Sequence, residues 1–447
     1  MLIQNGILVD PASDINERGE GMCKRDLLIY GGKIRKIAPI IDEQDAYAWY
    51  NGYEKKTDEL PELSILPAEG LKIGPGLVDV HSHFRDPGFT HKEDIHTGAL
   101  AAAAGGYTSV VLMANTKPCV DNEETLSYVL DKASEQDIRV YTCANITKGM
   151  KGSELVDMDA LKEKGAVGFT DDGIPITDPE VVRSAMEKAA DLDVPLSFHE
   201  EDPTYITNNG INSQMAEEQF GVMGSDRMAE ISLIGRDVQI ALETGAIYDC
   251  QHISTAEGVE LIRTAKKKAL ETGKGRIHAE ACPHHFSLTQ EALIEHGSLA
   301  KMNPPLRTEK DRRAIIQGLA DGTIDLIATD HAPHSTEEKQ LPILRAPSGI
   351  IGLETAFSLA ITYLVRPGHL SLKTLFNRMS MAPAGMYHLP CGRIAEGMAA
   401  DLILFDDQKE VTYQSFKSRS QNSPFTGMSL FGSVEMTICE GRIVYRK

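Results

Sequence analysis

The chain has no pair of cysteines in a C-x-x-C arrangement. Its seven cysteines (Cys23, Cys119, Cys143, Cys250, Cys282, Cys391, Cys439) are an odd number and widely scattered, which suits reduced thiols better than a disulfide framework or a zinc site built from thiolate pairs. Most read as small core hydrophobes. Positive charge is also short: 45 Lys and Arg stand against 65 Asp and Glu, for a net charge of −20. An acidic surface offers no counter-charge to nucleic acid or to an anionic membrane, so neither is an expected partner, and solubility is the plain meaning of the excess. No apolar run approaches the roughly 20 residues of a membrane span. The segment after Met1, LIQNGILVD, lacks the basic start and long apolar stretch of a secretion signal. The expected location is therefore cytoplasmic. Internal repeats and low-complexity tracts are missing too. What is there is an ordinary globular composition, 42% hydrophobic over 447 residues, enough for one large domain and a smaller one.

The central part alternates short β-branched apolar runs with helical patterns, as parallel βα units do. The expected strands are Gly76–His81, Tyr107–Met113, Ile138–Cys143, Val167–Asp171, Val194–His199, Ile247–His252, Arg276–Cys282 and Thr323–Thr329. Eight units over about 250 residues match a closed (β/α)8 TIM-like barrel. Asp226–Glu243 illustrates the helices: Ile231, Ile234, Val238 and Leu242 recur at steps of three and four, Met228 extends the stripe backwards, and Gly245 is placed to end it. The flanks instead carry short strand-like pieces with glycine turns, such as LLIYGGKIRKIAP and MTICEGRIVYRK. The expectation is an α/β protein: a barrel over 73–389, and a small β-sandwich domain built from both termini, 1–72 and 390–447. Between them, Asp42–Leu66 is polar, acidic and aperiodic, includes the only tryptophan, Trp49, and reads as an insertion or long loop.

Metal-ligand side chains end several of these runs: His81 and His83 after GLVDV, Asp171 or Asp172 in GFTDDG, His199 after VPLSF, His252 after AIYDCQ, and Asp330 after TIDLIAT. Residues i and i+2 of a strand project to one face, so His81 and His83 can converge on one ion while Ser82 points away. A barrel places its catalytic groups at the carboxyl ends of its strands, where all of these fall. Four imidazoles and two carboxylates exceed the four-coordinate demand of one zinc ion, whereas two divalent ions sharing a bridging carboxylate would use them all. Such a pair lowers the pKa of a water toward neutrality, which makes hydrolysis the natural reaction class.

The runs DVHSHFRDPG (79–88), ANTKP (114–118), GFTDDG (168–173), FHEED (198–202), HIST (252–255), KMNPPLR (301–307), ATDHAPH (328–334) and GRIAEGMAADLILFD (392–406) resemble the dihydroorotase family of the amidohydrolase superfamily, in its single-chain zinc-barrel class. The resemblance covers nearly the whole chain. It implies the reversible interconversion of N-carbamoyl-L-aspartate and dihydroorotate in pyrimidine biosynthesis, with two Zn2+ per subunit, a homodimer and an association with aspartate transcarbamoylase. It makes His81, His83, Asp172, His199, His252 and Asp330 metal ligands, and Asp330 the catalytic proton carrier as well. His83, Arg85, Asn115, Asn303 and His334 are implied to bind substrate, joined by Ser348 and Gly349 in APSGIIGLET. Relatives often place a carboxylated lysine at the fourth strand. This chain has none there, so Asp172 must bridge or the second ion is weakly held. Asp171 is expected to cap the following turn. Ala114 replaces the family's usual proline and leaves room for a shift of Asn115.

Other histidines get plainer readings. His284 and His285 are expected to support the site or pack, His331 to face away from the ligand side, and His91, His96, His278 and His296 to be surface or structural. An ion pair with Asp86 is the plain alternative for Arg85. The rival functions are another cyclic amidase, acting on dihydropyrimidines, hydantoins or allantoin, and a catalytically dead scaffold. The neutral substrates give Arg85 and Asn115 nothing to hold, and a dead scaffold would be expected to have eroded ligands.

Overall fold

A computed structural model of the chain describes residues 1–13, 22–53 and 63–447. Two groups of parallel strands make up the barrel wall: Leu77–Ser82, Tyr107–Leu112 and Arg139–Thr142 form one, and Pro195–Phe198, Ile247–Cys250, Arg276–Ala281 and Leu326–Ile327 the other. Val110 stands opposite Val140, Tyr248 opposite both Leu196 and Ile277, and Ala281 opposite Ile327, while the register of Leu77–Ser82 on Tyr107–Leu112 shifts twice. Single-residue bridges close the ring. Phe169 pairs with Ala144 on one side and Leu196 on the other, and Ser82 pairs with His331. The expected fourth strand, Val167–Asp171, is thus reduced to a bridge. Its neighbour there is Pro195, which accepts from the Phe169 N–H but has no N–H to return.

Helices cover the wall, and local chemistry marks several of their ends. Asp94 and Thr97 form a reciprocal cap at the start of Ile95–Ala104. The helix expected over 226–243 spans Met228–Thr244 and stops at Gly245, whose φ of 82° suits a residue without Cβ. Its buried face is rotated from the expected stripe: Leu233, Ile234, Asp237, Val238 and Leu242 point inward with Glu230, while Met228 is exposed. Two buried carboxylates on that face hid the true stripe from a hydrophobic reading. Below the strands, the segment 382–391 plugs the barrel. Tyr387 packs among Val78, Ile247 and Val167, and its hydroxyl lies 3.1 Å from Ser197 Oγ.

The terminal segments meet in one curved sheet, in the order Arg442–Arg446, Ser429–Cys439, Leu402–Thr412, Lys72–Pro75, Leu2–Leu8, Lys24–Tyr30 and Lys33–Ala38, with Ile65–Pro67 beside Leu2–Leu8. Ile3, Leu27, Ile34, Ile73, Leu402, Leu404 and Ile438 close a core of their own, separate from the barrel's, as the sandwich expectation requires. The insertion expected as a loop is partly helical, with Glu43–Tyr53 forming a helix. Ala46 is its one side chain described as buried, and Trp49 is half-buried 6.4 Å from Tyr30, ring to ring. So thin an apolar stripe leaves little period to read. Residues 54–62 of the insertion lie outside the described residues.

Candidate metal centre

Asp172 lies at the middle of the ligand set. Its Oδ1 is 3.5 Å from His81 Nε2, 3.7 Å from His199 Nδ1 and 3.9 Å from His252 Nε2, while Oδ2 is 3.4 Å from His83 Nε2. These separations are longer than hydrogen bonds. They are close to the spacing of about 3.3–3.6 Å that nitrogen and oxygen ligands about 2.0–2.2 Å from one tetrahedral zinc ion keep among themselves. Two groups of three therefore share one residue: His81, His83 and Asp172 on one side, and Asp172, His199 and His252 on the other. Asp330 joins the first group, its Oδ1 3.1 Å from His83 Nε2 and 3.7 Å from His81 Nε2. Asp172 is the residue common to both groups, with Oδ1 facing His81, His199 and His252 and Oδ2 facing His83; Asp171 is in neither.

His81 and His83 turn Nε2 toward Asp172 because other groups engage their Nδ1 atoms. His81 Nδ1 is 2.8 Å from Glu280 Oε2, so it donates there and leaves Nε2 buried without a hydrogen-bond partner. His83 Nδ1 donates to Asn115 Oδ1 at 3.0 Å, and the Asn115 amide in turn donates to Asp172 Oδ2 at 3.1 Å. His199 Nε2 lies 3.2 Å from Glu201 Oε2, turning Nδ1 toward His252 Nε2, 2.9 Å away. His81 and His83, whose second nitrogens donate to a carboxylate and to an amide oxygen, are held in the tautomer a metal needs, and the residues present fit divalent ions. Charge agrees. Burial alone would raise the Asp172 pKa, but His81, His199 and His83 hold it well below the usual carboxylate range. Burial pulls the His81 pKa down, and Glu280 and Asp172 outweigh it to leave it well above its usual value. His252 goes the other way, kept neutral by burial and by His199 and His81.

Beside these residues opens a cavity lined by His83, Arg85, Asn115, Asp172, Asn303, Asp330, Ser348 and Gly349 among others. Arg85 gives one donor, Nε, to the Pro333 carbonyl at 3.3 Å, and among the described residues it forms no ion pair. Asp86 instead accepts from the Tyr128 hydroxyl, which removes the plain alternative. Arg85, His252 and Asp330 all have left-handed backbones, with φ of 59°, 33° and 46°. Such conformations cost of order 1–3 kcal/mol each and gather where a site needs convergence. The Asn303 amide lies 3.2 Å from His199 Nε2. Gly349 has a φ of 123°, and a Cβ there would come within 2.8 Å of the Ala332 Cβ. His334 is the outlier. Its ring packs beside Gly349 and lies 3.4 Å from Glu338, and it is not among the residues lining the cavity.

Sequence reasoning missed Glu280 and Glu201. Each is a fully buried carboxylate next to candidate ligand positions, Glu280 in RIHAEAC and Glu201 in FHEED; an acidic residue at the apolar end of a strand was the available signal for Glu280, whereas Glu201 follows its strand among other acidic residues and carried none. Asp171 does not cap the following turn. It reaches back to accept from the Ile146 and Thr147 N–H groups and the Asn145 amide, and so pins the preceding strand end. His331 faces away, as its strand position predicts, accepting from the Gly352 N–H at 3.1 Å. His284 and His285 stand outside both ligand groups, in a separate cluster with Cys282.

Known proteins match this chain closely. A family model described as Dihydro-orotase-like matches residues 70–258. A dihydroorotase of Clostridioides difficile is 50% identical over 445 residues, covering 100% of this chain and 99% of the relative. One from Streptococcus pneumoniae is 46% identical over 448 residues, covering all of both chains. Among solved structures, an L-hydantoinase from Arthrobacter aurescens superposes with a TM-score of 0.83 at 22% identity, over 100% of this chain and 96% of that one. The dihydropyrimidinase from Brevibacillus agri gives 0.81 at 21% identity, over 100% and 95%. At such identities the structures speak for the fold alone, a barrel with a β-sandwich domain.

Proposed function

The chain belongs to the dihydroorotase family, and we propose that its cavity cyclises N-carbamoyl-L-aspartate to dihydroorotate and reverses that reaction, using the residues described above. The observation that carries the substrate assignment is Arg85, a cation in the cavity wall with one donor spent on Pro333 and, among the described residues, no ion pair. Dihydroorotate carries a carboxylate that matches the guanidinium fork; hydantoins and dihydropyrimidines lack it. Asn115, Asn303 and the backbone of Ser348 and Gly349 are placed to take up the ring's amide groups, and His334 acts through its contact with Gly349.

Two zinc ions held by His81, His83, Asp172, His199, His252 and Asp330 would polarise the ring carbonyl and lower the pKa of a water toward neutrality. Asp330 faces the cavity beside His83. In hydrolysis it takes the proton of the attacking water and delivers it to the ring nitrogen as the C–N bond breaks; in cyclisation it takes that proton from the ureido nitrogen. Asn115 holds both His83 and Asp172 in place during either direction. With all six ligand positions filled, a dead scaffold has no support. The same reading includes a cytoplasmic location, a homodimer, an association with aspartate transcarbamoylase, and domain limits at 72/73 and 389/390; each rests on the family resemblance or on the sequence pattern. The test is metal analysis of the purified protein coupled to an absorbance assay for dihydroorotate, with hydantoin and dihydrouracil run beside it. Turnover of dihydroorotate far above the neutral substrates supports the reading, and the reverse order overturns it.

A further inference from the structure

Three soft or borderline ligand groups lie together just beyond the strand that carries Glu280. Cys282, His284 and His285 each bring one ligand atom within 4.8 Å of the others, and all three are buried. None of them lines the catalytic cavity. His285 donates from Nε2 to the Pro304 carbonyl at 3.0 Å, which leaves Nδ1 unprotonated and, like both ring nitrogens of His284, without a partner. Buried polar atoms are nearly always paired, so three orphaned imidazole nitrogens beside a buried thiol require an explanation. Packing alone does not supply one, since apolar side chains would fill the space without that desolvation cost. Burial keeps both rings in the neutral form that binds metal, with His285 lowered to about 4. A tetrahedral ion with one thiolate and two imidazoles holds these atoms about 3.3–3.6 Å apart, so binding draws together ligand atoms that now lie within 4.8 Å of one another.

We propose that Cys282, His284 and His285 form a third metal site, separate from the catalytic pair, which takes a thiolate-preferring divalent ion such as zinc and releases the Cys282 proton on binding. The mixed Cys and His donor set selects borderline and soft ions over magnesium or calcium. Its signature does not depend on the reaction assigned to the cavity. The catalytic ligands contain no sulfur, so a cobalt ion there gives no thiolate-to-cobalt charge-transfer band in the near ultraviolet, whereas one on Cys282 does. The full-length enzyme produced in cobalt medium should show that band, and Cys282→Ser should lose it together with one cobalt per chain by metal analysis. His284→Gln should shift or weaken it. A wild-type enzyme without the band overturns the site, and so does a band that survives Cys282→Ser. The wild-type measurement decides the matter even if a variant fails to fold.

Discussion

Replacing Arg85 by methionine keeps most of the side chain's length and removes only the fork and its charge. Of the five N–H donors of the guanidinium, Nε is committed to Pro333, so the terminal nitrogens remain for a ligand in the cavity. Hydrogen bonds between ionised groups contribute roughly 1.5–3 kcal/mol. At a factor of ten for each 1.4 kcal/mol, Arg85→Met should reduce kcat/KM for dihydroorotate by about 10- to 150-fold. The substrate carboxylate takes no part in bond breaking and is held alike in ground and transition states, so most of the loss should appear as a raised KM. Absorbance assays on dihydroorotate and on uncharged dihydrouracil, run on the same preparation, separate the causes. Any residual dihydrouracil activity should change little, because that molecule offers Arg85 nothing. Equal losses on both substrates would refute the reasoning and assign Arg85 to supporting the 330–334 loop through Pro333.

Removing metal with a strong chelator should abolish activity, and zinc should restore it; full activity in verified metal-free protein would sink the binuclear reading. Asp330→Asn should lower kcat by about 10²–10⁴-fold in both directions with a much smaller change in KM, and a kcat within a few-fold of wild type at unchanged metal content would move the proton to another group. Glu280→Gln weakens the hold on His81 Nδ1 and should cost about 10- to 100-fold in metal affinity, measured by competition with a chromophoric chelator. Lys339 is buried where it donates to the Pro347 and Gly349 carbonyls, and burial, then Lys301, lowers its pKa to about 7. Between that value and its unfolded value the unfolded chain binds more protons, so the Lys339 contribution to stability should rise with pH from about 7 toward 10. Thermal melts of wild type against Lys339→Met should show that slope shrink in the variant.

The barrel was legible because its strands alternate with helices and end on ligand residues, and the terminal sheet because its pieces carry glycine turns. Two kinds of information stayed hidden. The first is local pairing: nothing in VGFTDD announces that the fourth strand shrinks to Phe169, because that outcome depends on Pro195, which is distant in sequence and contributes no N–H. The second is what stands behind a ligand. His81 and His83 look alike in HSHF, yet one leans on a carboxylate from the seventh strand and the other on an amide from the second. Spacing left Asp171 and Asp172 equivalent, and only the path of the turn assigns one to the backbone of 146–147 and the other to the imidazoles. His334 shows the converse: a motif residue expected in the cavity stands just behind its wall.

That difference between lining and supporting a site explains how the mouth of the barrel tolerates its own cost. Asp172, Asp330, Glu280 and Glu201 are all buried within reach of the same imidazoles, and unpaired carboxylates in that setting would be strongly destabilising. Each is instead set against a ring nitrogen or a position where a cation fits. The left-handed backbones at Arg85, His252 and Asp330 add strain of their own. Regular strand geometry would relieve it only by spreading these side chains apart. Convergence therefore has to be maintained by the surrounding fold: the Asn115 bridge, the Glu280 and Glu201 contacts, and the Asp171 staple that fixes the strand end beside them. A substitution in that supporting layer should act on metal affinity before it acts on substrate affinity, and a substitution at Arg85 should act in the opposite order.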